Sequence, residues 1–338
     1  MIWFLEGQSS QRDVIAGARA ALPESVRIFA SHRQSRPEIT GLADIAWREP
    51  QDNQERIGWV IEQARAHQIK VVLAGRAGQV YEAHRADFEA AGLQLVTGAL
   101  DLDTFERVDD KSAFTREALA AGLACIPAIT VSNRAELQAA YAQLARDGQV
   151  CVKPTTRGIY GQGFWRLADN VDPFRSFANA DAHEVNADVF AQAYGQSDAP
   201  KPLLVMPYMP GSECSVDMVC EAGEAVAWVG RRKQGLMQTF EREGDAVELA
   251  IKAARHFKCD GIVNVQTRDD AEGQPHLLEI NLRYSGGIGY TREAGVNLPG
   301  IFAARRLGLP VPPSVWREDV QVKAITVVVP VRGDSLLG

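Results

Sequence analysis

The amino-acid sequence predicts a parallel α/β domain followed by an α+β body built on antiparallel sheets. In roughly the first 105 residues, short apolar runs alternate with helical patterns, which is typical of right-handed βαβ units. Beyond residue 109 strand patterns outnumber helices, which favours antiparallel pairing. The length of 338 residues fits two or three domains at ~150 residues each.

The N-terminal elements follow from their apolar periodicity. Strands are predicted over residues 2–5, 26–30, 70–74 and 93–96, and helices over residues 13–22, 54–67 and 79–91. The turn at residues 7–10 follows the first strand, where open α/β sheets place ligand loops. It carries no GxGxxG string, so a dinucleotide site is not expected there.

The second part begins with a predicted helix over residues 109–122. Asn133 and Glu136 form a capping box that opens the next helix, through residue 144, and a third helix spans residues 245–257. Strands are predicted over residues 150–153, 164–167, 203–206, 214–220, 225–230, 261–268 and 276–281.

Composition excludes several classes of partner. Apolar residues make up 46% of the chain, enough to build buried cores, and the formal charge is −7. A mildly acidic chain without polybasic segments is not expected to bind nucleic acid or an anionic membrane surface. No apolar stretch approaches the ~20 residues of a membrane span, and the start lacks the basic region of a signal peptide. The five cysteines contain no CxxC pair, so the expectation is buried free thiols in a cytoplasmic protein.

A glycine-rich loop follows the strand that ends in Lys153. It contains Gly158, Gly161 and Gly163, and the residues after it favour a strand, so neither a P-loop nor a Rossmann turn fits. A hairpin flap of this kind can close its backbone N–H groups over phosphates, with Lys153 as a point charge. A flexible hairpin with a surface lysine is an equally acceptable interpretation of this segment alone.

Polar residues line one face of the strand near residue 280. Glu279, Asn281 and Arg283 alternate with apolar residues and so point the same way. A carboxylate and an amide oxygen at this spacing can share Mg²⁺, and Gln266 on the expected hairpin partner supplies another oxygen. The alternative is the solvated polar face of an amphipathic strand.

An apolar strand runs into a proline-flanked linker at Met206, Pro207, Tyr208 and Met209. The Pro207 carbonyl and the Met209 N–H match the acceptor–donor edge of adenine. Glu213 could then accept from ribose hydroxyls. An interdomain linker has the same appearance.

These motifs together resemble the ATP-grasp superfamily, closest to the ATP-binding part of the carbamoyl-phosphate synthetase large chain and to small carboxylate–amine ligases. The resemblance covers residues 109 to 299 and rests on five motifs in order: Asp110-Lys111, Lys153-Pro154 with its glycine flap, Gly211-x-Glu213, Asn264-Val265-Gln266, and Glu279-Ile280-Asn281-Leu282-Arg283. It implies a pre-ATP-grasp domain over residues 1–105 and a two-lobed ATP-grasp domain over residues 106–315. The small ATP lobe would span about residues 125–205, and residues 316–338 would form a C-terminal segment, as a returning strand.

The resemblance also implies roles for single residues. Lys111 and Lys153 would hold the ATP phosphates under the flap of Gly158, Gly161 and Gly163, with adenine at the hinge Met206, Pro207, Tyr208, Met209 and ribose on Glu213. Gln266, Glu279 and Asn281 would hold Mg²⁺, with Mn²⁺ as the substitute, and Arg283 would stabilise charge during phosphoryl transfer. Two departures from the family pattern stand out: Met206-Pro207 replaces a more polar pair, and Leu282 stands where many relatives have proline.

Three further residues are candidates with open alternatives. Arg231, in the run 231–233, is either a catalytic contact to the γ-phosphate or substrate, or part of a solvated strand edge. Ser285 and Arg292 follow the metal strand, where an acceptor substrate would lie, and Arg292 could bind a carboxylate.

The function predicted on this basis is a cytoplasmic ATP-dependent ligase. It would activate a small carboxylate as an acyl phosphate for attack by an amine, with release of ADP and phosphate. The alternatives are activation of bicarbonate or carbamate, as in carbamoyl-phosphate synthetase, and a non-catalytic nucleotide-binding module. A homodimer is the expectation from base rates alone.

Overall fold

The computed structural model of the protein describes residues 1–155 and 163–328. It contains three β-sheets. Their strands are β1 Ile2–Phe4, β2 Ile28–His32, β3 Ile45–Arg48, β4 Val71–Leu73, β5 Gln94–Val96, β6 Ile129–Val131, β7 Val150–Pro154, β8 Trp165–Ala168, β9 Glu184–Asn186, β10 Leu203–Pro207, β11 Glu213–Glu221, β12 Glu224–Gln234, β13 Met237–Glu241, β14 Gly261–Asp269, β15 Pro275–Asn281 and β16 Gln321–Val322.

Helices connect most of these strands. They are α1 Gln11–Ala21, α2 Pro37–Thr40, α3 Asn53–Ala66, α4 Gly78–Glu82, α5 Arg85–Ala90, α6 Leu102–Asp109, α7 Lys111–Ala120, α8 Arg134–Leu144, α9 Arg175–Ala178, α10 Ala187–Gly195, α11 Asp245–His256 and α12 Leu298–Arg306, with 3-10 turns at Ala180–Ala182 and Ile288–Arg292. Among the described residues, no helix has the length and apolarity that crossing a membrane requires.

The chain divides into two compact units. Unit 1 comprises Met1–Phe105, Ser212–Thr267 and the chain from Ile280 onward, and unit 2 comprises Glu106–Gly211 and Arg268–Glu279. The fold class predicted from the sequence, a parallel α/β domain with further sheets after it, is confirmed.

The first sheet of unit 1 is entirely parallel, in the order β3-β2-β1-β4-β5. Both of its faces are buried, because successive side chains of β1 enter different cores. Ile2 and Phe4 contribute to a core that also contains α1 and α12, whereas Trp3 packs with α3 and the rings of Trp47 and Trp59.

The other sheet has the order β15-β14-β11-β12-β13-β16. Strands β11 to β13 and β16 pair antiparallel. The predicted hairpin of residues 261–281 is confirmed, with its turn closed by the Asp270 N–H donating to the Gln274 carbonyl at 2.9 Å.

Unit 2 carries a five-stranded sheet in the order β6-β10-β7-β8-β9. Strands β7 and β8, which flank the glycine loop in the sequence, pair antiparallel. Gly158 and Gly161 lie outside the described residues. Gly163 has φ +77° and its missing Cβ would meet the Pro154 ring at 2.7 Å, so this position requires glycine.

Two local predictions meet different outcomes. The capping box of α8 is confirmed: the Glu136 N–H donates to Asn133 Oδ1 at 3.0 Å. The single helix predicted over residues 79–91 is wrong, since the structure has α4 and α5 with a break between them. Glu82 and Arg85 form an ion pair at 2.6 Å across this break, and Arg85 also reaches the Ala99 carbonyl, contacts that hold the break in place.

The thiols allow a direct test of the cores. All five cysteines are free and buried, as expected from the sequence. Burial raises the pKa of Cys151 and of Cys259 to about 12, and also raises the pKa of Cys125 and Cys220.

Because only the thiolate is nucleophilic, native protein at pH 8 should react with a disulfide reagent far more slowly than unfolded protein, in which all five thiols react. Rapid labelling of a thiol in the native state would contradict this packing.

Candidate active site

Lys153 lies on the central part of the unit 2 sheet. In β7 it follows Cys151 by two residues, so both side chains point to the same face, away from the core side occupied by Val152. The Lys153 Nζ donates to the Leu278 carbonyl oxygen at 3.3 Å, which holds the ammonium beside the middle of β15, next to Glu279 in sequence. The sequence of β7 therefore positions this lysine within a sheet, and not on a free surface.

Lys111 is brought to the same place by a helix cap. Asp110 caps α7, accepting from the backbone N–H groups of Ser112 and Ala113, and the Lys111 N–H donates to the Thr155 carbonyl at 3.1 Å. This bond ties the start of the helix to the end of β7. The Lys111 Nζ then lies 3.6 Å from Glu279 Oε2.

The two lysines and Glu279 form a charge cluster. The pKa of Lys153 is lowered, above all by burial; the Glu279 carboxylate opposes this shift and the Lys111 ammonium adds to it. Two ammonium groups thus lie close to the Glu279 carboxylate in a partly buried setting. An additional anion with several oxygens would relieve their repulsion, which is the chemistry of a polyphosphate site.

An apolar cluster lies on the same face of the unit 2 sheet. Its buried members are Ile126, Cys151, Leu204 and Met206, with Ala128, Phe164, Tyr208, Met209 and Leu278 packed against them. Residues of the predicted adenine hinge therefore belong to an apolar layer that also includes Cys151, two residues from Lys153. Such a layer can accommodate the face of a flat ring.

Arg268, which sequence reasoning missed, fixes this hinge. Its Nε donates to the Met209 carbonyl at 2.7 Å, its Nη2 donates to the Tyr208 hydroxyl at 3.0 Å, and its guanidinium lies 5.1 Å from the centre of the Tyr208 ring. The Arg268 position shares a face of β14 with Gln266, so strand alternation was an available signal for it.

A second polar cluster, the Asp217 network, lies in unit 1. The fully buried Asp217 accepts from Arg231 Nε at 2.7 Å and from Asn264 Nδ2 at 3.0 Å. Arg231 Nη2 donates to Ser285 Oγ at 2.9 Å, and Asn281 Nδ2 donates to Asn264 Oδ1 at 3.4 Å. The Asp217 carboxylate thus holds Arg231 and Asn264 directly, and Ser285 and Asn281 are joined to it through these two residues.

The run at residues 231–233 is not a uniform solvated edge. Arg231 is only 3% exposed, so that alternative does not describe it. Arg232 pairs with Glu241, and the Lys233 Nζ lies 2.5 Å from Glu213 Oε1. The predicted ribose acceptor Glu213 is therefore already ion-paired on the sheet.

The remaining candidates are spread over unit 1. Gln266 and Arg283 are half-buried, Ser285 is buried and also accepts from the Gly287 N–H at 3.1 Å, and Arg292 is exposed. Within residues 1–155 and 163–328, no group of three or more His, Cys, Asp or Glu residues could hold a metal. The predicted Mg²⁺ ligands differ from such clusters because they comprise one carboxylate, Glu279, and two amides, Gln266 and Asn281.

A family model and the solved structures identify the fold. Residues 199–328 match a family described as ATP-grasp in the biosynthetic pathway with Ter operon. A carboxyaminoimidazole ribonucleotide synthase from Aspergillus clavatus, complexed with ATP, is 18% identical, with a TM-score of 0.66 over 92% of this chain and 77% of that chain. No curated protein matches the sequence.

Two further structures carry other activities on the same architecture. The biotin carboxylase domain dimer of Hydrogenobacter thermophilus 2-oxoglutarate carboxylase, with MgADP and bicarbonate, is 14% identical, with a TM-score of 0.64 over 93% of this chain and 71% of that chain. An L-amino acid ligase from Bacillus licheniformis is 14% identical, with a TM-score of 0.58 over 90% of this chain and 73% of that chain. The predicted resemblance to the ATP-grasp superfamily is confirmed, and the expectation of a ligase that uses ATP and Mg²⁺ agrees with it.

Proposed function

We propose that this chain, an ATP-grasp protein by its fold and its family match, is an ATP-dependent ligase that joins a carboxylate to an amine and releases ADP and phosphate. The observation that carries the proposal is the convergence of Lys111 and Lys153 on Glu279 beside an apolar layer. That arrangement suits a nucleotide, with phosphates on the lysines and the ring on the apolar face.

The reaction divides one condensation into two steps. An oxygen of the substrate carboxylate attacks the γ-phosphorus, the bond to the β-phosphate oxygen breaks, and ADP leaves. The amine nitrogen then attacks the acyl carbon, phosphate leaves with the electron pair of the broken C–O bond, and the nitrogen loses a proton. Lys153 and Lys111 contribute by balancing negative charge on the phosphates through both steps.

Oxygen ligands for Mg²⁺ are present on β15. Glu279 and Asn281 are two residues apart in one strand and so point to the same face. Asn264 accepts from the Asn281 amide nitrogen and thereby fixes the orientation of the Asn281 carboxamide. A carboxylate and an amide oxygen fit the preference of Mg²⁺, to which Gln266 would add a further oxygen. When bound, Mg²⁺ neutralises charge on the transferred phosphoryl group.

Bicarbonate activation is the second candidate. Gln266 stands where many ATP-grasp relatives carry Asp or Glu, and glutamine there resembles the carbamoyl-phosphate synthetase branch. The carboxylase neighbour from Hydrogenobacter thermophilus was solved with bicarbonate. ADP release that depends on bicarbonate, without any other acid, would favour this candidate over the carboxylate–amine ligase.

The proposal is tested by ADP release from ATP and Mg²⁺ with a panel of acids and amines. We expect at least one pair to stimulate release, and Glu279→Gln to lower it by more than ~100-fold because a ligand charge for the metal is lost. Glu272→Gln, in the exposed hairpin turn of the same unit, is the matched control and should leave the rate unchanged. Tight ATP binding without ADP release for any acid would overturn the proposal in favour of a binding module.

A further inference from the structure

The first sheet of unit 1 has a topological switch point beside β1. From β1 the chain continues to β2 and β3 on one side, then crosses to β4 on the other side. Loops at the carboxyl ends of β1 and β4 therefore diverge, and open parallel sheets bind ligands in the crevice that this leaves. The ATP chemistry proposed above uses none of these loops.

A cavity of about 400 Å³ occupies this position. Loops that follow β1, β2, β3 and β4 all contribute to its wall. The lining residues are Glu6, Gly7, Gln8, Ser9, His32, Arg33, Gln34, Arg36, Gln51 and Arg76. A volume near the lower end of the ~300–1,000 Å³ range of ligand sites suits a compact molecule.

The charges of the lining favour an anion. Three guanidinium groups face one carboxylate, Glu6, which is buried and already paired with Arg33. Arg36 pairs with Glu38, which is outside the lining and one-third exposed. Arg76 is exposed, and the part of the chain that the structure describes contains no ion-pair partner for it.

His32 lies beside Glu6 in this lining, with its Nε2 3.8 Å from Glu6 Oε1. Its Nδ1 accepts the Gln34 backbone N–H at 3.0 Å, so in the neutral ring Nε2 carries the hydrogen. Burial lowers the pKa of His32, an effect that the nearby Glu6 carboxylate opposes. The amides of Gln8, Gln34 and Gln51 add neutral hydrogen-bonding groups around the arginines.

We propose that this cavity binds an oxyanion, a phosphate or carboxylate group of a small molecule, with Arg76 as its principal cation. A planar guanidinium group can donate two hydrogen bonds to two oxygens of either anion. The neutral amides would form hydrogen bonds with the rest of the molecule. The proposal does not depend on the proposed ligase activity, because each of its residues belongs to the N-terminal sheet and its loops.

Calorimetric titration of the intact protein with inorganic phosphate, and separately with succinate, tests this site. We expect at least one of the two anions to bind wild type with Kd below ~1 mM, and Arg76→Gln to weaken that binding at least tenfold, as loss of one charged hydrogen bond implies. Arg65→Gln, an exposed arginine on α3, is the matched control and should bind as wild type does. Whether phosphate or succinate binds distinguishes the two kinds of oxyanion.

Two further titrations distinguish this oxyanion site from the proposed nucleotide site. Titration with ATP should give the same Kd for Arg76→Gln and wild type. Lys153→Met should retain phosphate or succinate binding. The proposal is overturned if neither anion binds wild type, if Arg76→Gln binds as well as Arg65→Gln, or if Lys153→Met loses the binding and Arg76→Gln keeps it. Failure of the ligase assay alone would leave these titrations unchanged.

Discussion

Lys153→Met is expected to weaken ATP binding by roughly 10- to 150-fold, because a hydrogen bond to a charged group contributes about 1.5–3 kcal/mol. The loss follows from the position of the ammonium, which is partly buried and lies beside Lys111 and Glu279. The measurement is the Kd for ATP by calorimetry at fixed ionic strength. Lys201→Met, an exposed lysine in the same unit, should bind ATP as wild type does.

Protein stability and the pH dependence of ATP binding distinguish a ligand-binding role of Lys153 from a structural one. The folded-state pKa of Lys153 is lowered, so holding its charge opposes folding at neutral pH, and methionine should not lower the free energy of unfolding. For the same reason ATP affinity of wild type should fall as pH rises through that lowered pKa. Lys153→Arg should bind ATP without this pH dependence, because arginine stays charged. A destabilised Lys153→Met variant with normal ATP affinity would contradict the assignment.

Arg231→Met is expected to lower the free energy of unfolding by about 3–5 kcal/mol, because it leaves the buried Asp217 charge without its partner. Asp217 is fully buried and Arg231 is 3% exposed, so water cannot replace the lost contact. Urea unfolding measures the change. Lys233→Met, which removes an exposed pair from the same strand, should change stability by less than ~1 kcal/mol.

A double-mutant cycle completes this test. Asp217→Asn combined with Arg231→Met removes the charge as well as its partner, so the double variant should be more stable than the sum of the single changes implies. Additive effects would contradict a direct coupling between the two side chains. ADP release by the double variant would remain low, since Ser285 and Asn264 lose the groups that position them.

The secondary structure was predicted correctly where buried and exposed residues follow a simple pattern along the sequence. Strands β1, β7 and β14 lie within two residues of their predicted bounds, because alternation or a short apolar run sets each one. Strand β13 was missed because its five residues are all half-buried and mix polar with apolar side chains. Helix α12 was missed because it is buried through most of its length and so shows no polar face.

The candidate site could also be predicted from the sequence in part. Lys111, Lys153 and Glu279 were found by motif, and the structure brings them together within unit 2. Asp217 was missed, although a single carboxylate in the apolar strand 214–220 was a visible signal. The turn at residues 7–10, which forms part of the cavity near Arg76, was indicated as the place of a ligand loop. The rest of the lining could not be predicted, because it comes from three other loops whose proximity depends on strand order.

Transfer of oxygen from the acid to phosphate distinguishes an acyl phosphate intermediate from other routes of activation. Once a stimulating acid is found, it is labelled with ¹⁸O in both carboxylate oxygens and turned over with ATP, Mg²⁺ and the amine. Activation as an acyl phosphate predicts one ¹⁸O in each phosphate released, because the attacking carboxylate oxygen stays on phosphorus. Unlabelled phosphate, or release of AMP and pyrophosphate in place of ADP, would exclude activation of the acid as an acyl phosphate.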